Sequence, residues 1–272
     1  MPLVHAVAPG ILAADTITKL PPDAAGQVVV SGSHGGRYPG YLAAKAGLRA
    51  VILNDAGVGK DAAGIGALAY LDALGIAAAA VSHESCRIGD TSDMIARGRI
   101  SPVNAIAEAQ GVAASLACLE AAVLLTGAPH RRVEAPPVGE GRRELGDGAR
   151  RRIILVDSAA MVTPGDAGAI VVTGSHGGLV GGDPAMALRT EAFAAVFNDA
   201  GIGVDEAGIG RLAALERRGV AAFTVAAASA RIGEARSSFE DGVISCGNES
   251  AVRLGAVPGL RARDVLLRWA KG

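Results

Sequence analysis

Two histidines stand in the same five-residue frame. His34 closes the run "VVVSGSHGG" at 28–36, and 142 residues later His176 closes "IVVTGSHGG" at 170–178. Imidazole is the side chain best suited to proton transfer near neutral pH. The flanking glycines permit positive φ and close approach of the backbone, and a following helix would turn its free N–H groups toward the loop. Such a turn can hold an anion or a developing oxyanion. The chemistry expected here is general acid or base catalysis by His34 and His176, with Ser33, Gly35, Ser175 and Gly177 against the substrate. The plainer alternative is a tight strand-to-helix turn whose histidine bonds a neighbouring carbonyl. A nucleophile elbow is not indicated, because GxSxG is required and the frames are SxSxG at Ser31 and Ser33 and TxSxG at Thr173 and Ser175.

Two further motifs recur with the histidines. "NDAGVGKDAAGIG" meets "NDAGIGVDEAGIG", placing Asn54 and Asp55 against Asn198 and Asp199. Asp55 and Asp199 are expected to fix the histidine tautomers, and Asn54 and Asn198 to face the substrate; Asx turns are the alternative. A dinucleotide fingerprint needs glycine or alanine at its third position, where the two copies have Ala62 and Glu206. "SCRIGD" meets "SARIGE", giving Ser85 and Arg87, and Ser229 and Arg231, as substrate contacts. A guanidinium suits bidentate recognition of a carboxylate, although a salt bridge to Asp90 or Glu234 explains the arginines as well.

A histidine after one strand and a cysteine after a later one, in "SGSHGG" and "HESC", is similar to the His–Cys pair of caspase-like cysteine proteases. The second copy has Ala230 where the first has Cys86, so the shared chemistry is not assigned to the thiol, nor the chain to that family. Zinc is not expected, because no ligand pair has the close spacing of a structural or HExxH site. No cofactor is expected.

These motifs need elements to carry them, and the repeat defines those elements. Asp15 to Val123 matches Asp157 to Leu267, with the offset rising from 142 to 144 after two inserted residues. A tandem duplication follows. The expected domains are a first α/β repeat at 1–125, a Gly/Pro/Arg-rich linker at 126–151 and a second α/β repeat at 152–272. In each copy short β-branched runs end at GSHGG, at NDAG and near RIG, with helices between them. Asp61 and Asp205 are placed to cap one helix, and Gly75 and Gly219 to end it. "YPGYLAAKAG" and "DPAMALRTEA" are expected as equivalent helices. Alternation of this kind predicts parallel α/β sheets whose strand ends gather the polar motifs on one edge. A duplicated polar set further suggests two units packed as a pseudo-twofold dimer.

Composition narrows the partners. The 272 residues are 50% hydrophobic and only 3% aromatic, with a net charge of −1. Nucleic acid is therefore not expected. The start lacks a basic n-region before an apolar stretch and no run is long enough to span a membrane, so a cytoplasmic protein is expected. The three cysteines fit no disulfide framework. The expected function is an enzyme acting on a small carboxylate-bearing metabolite by hydrolysing an amide or lactone. The alternatives are an isomerase or lyase on a similar acid, and a non-catalytic anion-binding regulatory module. Homo-oligomerisation is compatible with all three.

Overall fold

The computed structural model describes residues 4–145 and 149–272. Two six-stranded sheets account for the β-structure. The first runs in spatial order β1 (Val4–Ala8), β2 (Ile11–Ala14), β3 (Val28–His34), β4 (Ala50–Asn54), β5 (Ala77–Val81) and β6 (Ile100–Val103). Strands β2 to β5 are parallel, and β1 and β6 are antiparallel edges. Every residue of β4 and β5 is buried, as strands covered on both faces must be, and this is why they read as unbroken apolar runs.

Helices α1 (Arg37–Lys45) and α2 (Gly66–Asp72) cover one face, where Ala43, Ala67 and Leu71 pack on Val29 and Val51. Helices α3 (Thr91–Arg97), α4 (Ala105–Glu108) and α5 (Cys118–Leu125) cover the other, with Met94 and Leu125 against Val30 and Ile52. Asp90 and Asn104 cap α3 and α4 by accepting the amides of Asp93 and Ala107.

The second sheet is β7 (Arg142–Leu145), β8 (Ile153–Val156), β9 (Ile170–His176), β10 (Ala194–Asn198), β11 (Ala221–Val225) and β12 (Ile244–Gly247), again with antiparallel edges around a parallel centre. Its helices are α6 (Gly210–Glu216), α7 (Ala235–Glu240), α8 (Glu249–Arg253) and α9 (Ala262–Lys271). The two-unit α/β organisation expected from the repeat is thus present at the level of sheets and helices.

Three local expectations change. The linker expected at 126–151, of which 146–148 lie outside the described residues, is largely exposed but is fastened to the molecule at several points. Val133, Ala135 and Val138 sit on the core of the first half, the Tyr70 hydroxyl donates to Pro136 O at 2.7 Å, and residues 142–145 become the edge strand β7. The second-half counterpart of α1 is replaced by two single 3₁₀ turns at Val180–Gly182 and Pro184–Met186. Gly181 and Gly182 both have positive φ, and the carbonyls of Met186 and Ala187 accept from Arg211. Asp61 and Asp205 do not cap α2 and α6. Both sit at left-handed φ in a preceding 3₁₀ segment, and their carboxylates cross to the other half, where Asp61 meets Arg231 at 2.9 Å and Asp205 meets Arg87 at 3.0 Å.

The halves share a small apolar centre of Ala56, Ile88, Ala200 and Ile232. Backbone bonds tie them together, from Lys60 N to Ala227 O at 2.8 Å, from Val204 N to His83 O at 2.9 Å and from Gly181 N to Gly89 O at 2.8 Å.

Candidate active site at the junction of the halves

The strands that carry the histidines are bulged at the point where they deliver them. Val30 pairs with Ile52 and His34 pairs with Asn54, so β3 spends four residues where β4 spends two; β9 does the same against β10. The excess lifts the SGS segment off the sheet. Gly32 sits in that segment because a Cβ there would lie 2.9 Å from both Asp15 O and Gly89 C. The hydroxyl oxygen of Ser33 accepts from Ile17 N at 3.0 Å and that of Ser175 from Ala159 N at 2.9 Å, which fastens the preceding loops to the strand ends.

Both histidines line one cavity of about 110 Å³, together with Ser33, Ser175, Arg211 and Glu140. This is of the order of the ~150 Å³ that accommodates a benzene-sized molecule, and far too small for a dinucleotide. Gly36 N donates to His34 Nδ1 at 3.2 Å, and Gly178 N donates to His176 Nδ1 at 3.2 Å. An Nδ1 that accepts a hydrogen bond forces the proton of a neutral imidazole onto Nε2. Burial lowers the His34 pKa to about 4. Burial, followed by the charges of Arg211 and His34, holds His176 well below its ordinary value. At neutral pH the cavity therefore contains two neutral imidazoles, each with Nε2–H as its donor.

Arg211 supplies the charge. It is 4% exposed, lies over the Phe197 ring with its guanidinium carbon 5.0 Å from the centroid, and donates to Gly178 O at 3.0 Å, Met186 O at 3.2 Å and Ala187 O. Among the described residues it has no carboxylate partner. Burial brings its pKa down to about 10, which still leaves it cationic at neutral pH. Its charge is met by backbone carbonyl oxygens and it borders the cavity.

Tyr38, Asp157 and Glu140 also line the cavity. Asp157 is held by the amides of Ala235 and Gly141, and the latter bond draws the end of the connector over the site. Burial and the neighbouring Asp157 raise the Glu140 pKa against hydrogen bonds to Tyr38 and Ser158, and the Tyr38 phenol is pushed up to about 12 by burial and by Glu140.

Of the residues anticipated from the motifs, Ser33, His34, Ser175 and His176 line this cavity. The others are occupied elsewhere. Asp55 Oδ1 bonds His83 Nδ1 at 2.8 Å and His83 N at 2.9 Å, and Asp199 Oδ1 accepts from Gly201 N at 2.9 Å and Ala227 N at 2.8 Å, so the hydrogen bonds to His34 and His176 Nδ1 come from Gly36 and Gly178 instead. Asn54 and Asn198 are fully buried Asx turns accepting from Ala56 N and Ala200 N, with amide groups donating to Cys86 Sγ at 3.6 Å and Ala230 O at 3.0 Å. The amides of Gly35 and Gly177 donate to Asn54 O and Asn198 O at 2.7 and 2.8 Å and are not free to serve as an oxyanion hole.

Ser85 and Ser229 close their loops by donating to Ser82 O and Ala226 O. Arg87 pairs with Asp90, Asp93 and Asp205, and Arg231 with Glu234 and Asp61. Cys86 is fully buried, and its thiol pKa is pushed up to about 12 by burial, with the charge of Asp93 adding to the shift.

Arg211 was missed by motif reading, yet it carried a signal. "GIGRL" faces "GIGAL", so an arginine stands where the other copy has Ala67. Glu140 carried none, because the connector has no counterpart to compare.

Among the described residues no cluster of three or more His, Cys, Asp or Glu could hold a metal ion, and no helix is long and apolar enough to cross a membrane. No protein-family model, curated protein or solved structure matches the chain.

Proposed function

We propose that the chain is an enzyme that moves a proton on a small carboxylate-bearing molecule, an isomerase or lyase, with its site between two α/β repeats related by a pseudo-twofold axis. The observation that carries this reading is the sharing of one small cavity by two Nε2–H imidazoles and an unpaired buried guanidinium. Arg211 binds the carboxylate. The two Nε2–H groups donate to a carbonyl oxygen and stabilise the negative charge that develops there, as neutral imidazoles can when their pKa is depressed. Glu140, a carboxylate whose pKa is raised by burial and which is therefore a stronger base than an exposed one, removes the proton α to the carbonyl; the C–H pair becomes the C=C bond of an enolate and the C=O π pair moves onto oxygen. Return of the proton to another carbon isomerises the substrate, and loss of a β-substituent completes a lyase reaction.

Hydrolysis of an amide or lactone is less well supported, because the turn amides are spent and each serine oxygen is engaged by a backbone N–H rather than by a histidine. A non-catalytic anion-binding module is the rival favoured by Arg211 alone. The test is exchange of α-protons for deuterium in small 2-oxo acids, followed by proton NMR in D₂O. Exchange in the wild type that falls at least 100-fold in Glu140→Gln and in His34→Gln with His176→Gln, while Arg211→Met mainly raises KM, is expected. Anion binding without exchange by any 2-oxo acid would favour the binding module, and lactone opening without exchange would favour hydrolysis.

A further inference from the structure

Asp55 and Asp199 close matching turns. Each Oδ1 accepts the amide two residues on, Gly57 N at 3.2 Å and Gly201 N at 2.9 Å, and the amide 28 residues on, His83 N at 2.9 Å and Ala227 N at 2.8 Å. In the first half a third bond completes the carboxylate, since His83 Nδ1 lies 2.8 Å from Asp55 Oδ1. In the second half the matching residue is Ala227, and no side chain takes the place of the imidazole. Asp199 is 4% exposed and no charged side chain among the described residues hydrogen-bonds to it, the charge of His83 acting on it only at longer range.

The imidazole of His83 lies against Gly201, where a Cβ would come within 2.8 Å of Cδ2 and Nε2. The nearest atoms to a Cβ on Gly57, the matching glycine, would be backbone of residues 200 and 201 rather than a ring. The room left over is a hollow of about 460 Å³ lined by Gly57, Val58, Gly59, Asp199, Gly201 and Ala227, among others. Lys60 also borders it, but its ammonium is paired with Asp241 at 2.9 Å. A nearly buried carboxylate without a hydrogen-bonded counter-charge is costly and gains most from a cation that can hydrogen-bond to it.

We propose that this hollow binds a small planar cation of the imidazolium type, which takes at Asp199 the place that His83 takes at Asp55. The site is separate from the histidine cavity, and the proposal does not depend on the reaction assigned there.

The probe is imidazole at pH 6, where it is largely protonated, titrated against the full-length protein and followed by saturation-transfer NMR and thermal shift. Saturable binding in the millimolar range is expected. Asp199→Asn weakens it at least tenfold, and Ala227→His abolishes it by filling the hollow while raising Tm in the absence of imidazole. Circular dichroism establishes that each variant is folded, and Ala227→His decides the matter if Asp199→Asn is not. No saturable binding by the wild type, or equal binding by wild type and a folded variant, overturns the proposal.

Discussion

At the scale of the residue, the depressed His34 pKa makes the protein acid-sensitive in a defined window. The unfolded imidazole titrates near 6.5 and the folded one at about 4. Between these values the unfolded chain binds more protons, so stability is lost as pH falls from 6.5 toward 4, by at most about 3 kcal/mol for this group. His176 acts in the same direction. His83 has the opposite sign, since its bond to Asp55 raises its pKa, and its contribution is present at low pH and lost as pH rises through the folded value. Urea unfolding at pH 7 and pH 5 is expected to show a smaller loss on acidification for His34→Gln than for the wild type; an unchanged loss would mean that His34 is not buried in its neutral form. The two histidines, which the chain states twice, both line the cavity. Asp55 and Arg87 are repeated just as faithfully but are engaged by His83 and by Asp90, Asp93 and Asp205, because repetition preserves turn chemistry and ion pairs too, and nothing in the sequence reveals that Asp205 lies within reach of Arg87.

At the scale of the element, the RIG loop of each half packs on the histidine strand. Gly89 N donates to Gly32 O at 2.9 Å and Gly233 N to Gly174 O at 2.7 Å, with φ of 81° and 86°. A Cβ on Gly89 would fall onto the Leu179 carbonyl and lie 3.4 Å from His176 Cε1. Gly111 has φ of 82° and nothing within 4 Å of its absent Cβ. Gly111→Ala is therefore expected to cost about 1–2 kcal/mol, the left-handed backbone term alone. Gly89→Ala should cost at least about 2 kcal/mol more, because backbone must also move. Denaturant titration of both variants measures the difference, and equal losses would remove the packing role assigned to the loop. The strands and their order of appearance were legible from short β-branched runs ending in polar turns. The helix expected after β9 was not, because its failure depends on Arg211, a residue 25 positions away from Met186 whose guanidinium occupies the carbonyls there.

At the scale of the whole molecule, the halves share a narrow apolar contact beside the backbone bonds and ion pairs that cross between them. Ile88 and Ile232 are 4% and 5% exposed and cluster with Ala56, Ala200, Ala63 and Ala207. Truncating either to alanine is expected to destabilise by about 2–5 kcal/mol. With both truncated, the single calorimetric transition expected of the wild type should split into two, one for each sheet; one sharp transition in the double variant would show that other contacts couple the halves.

Joining the two halves in one chain also lets the walls of their common cavity differ. Arg211 stands where the first half has Ala67, Tyr38 stands where the second half has Val180, and Glu140 has no counterpart in the repeat. A cavity formed by two identical subunits across a twofold axis would present each of its groups twice; this one presents each of these three once.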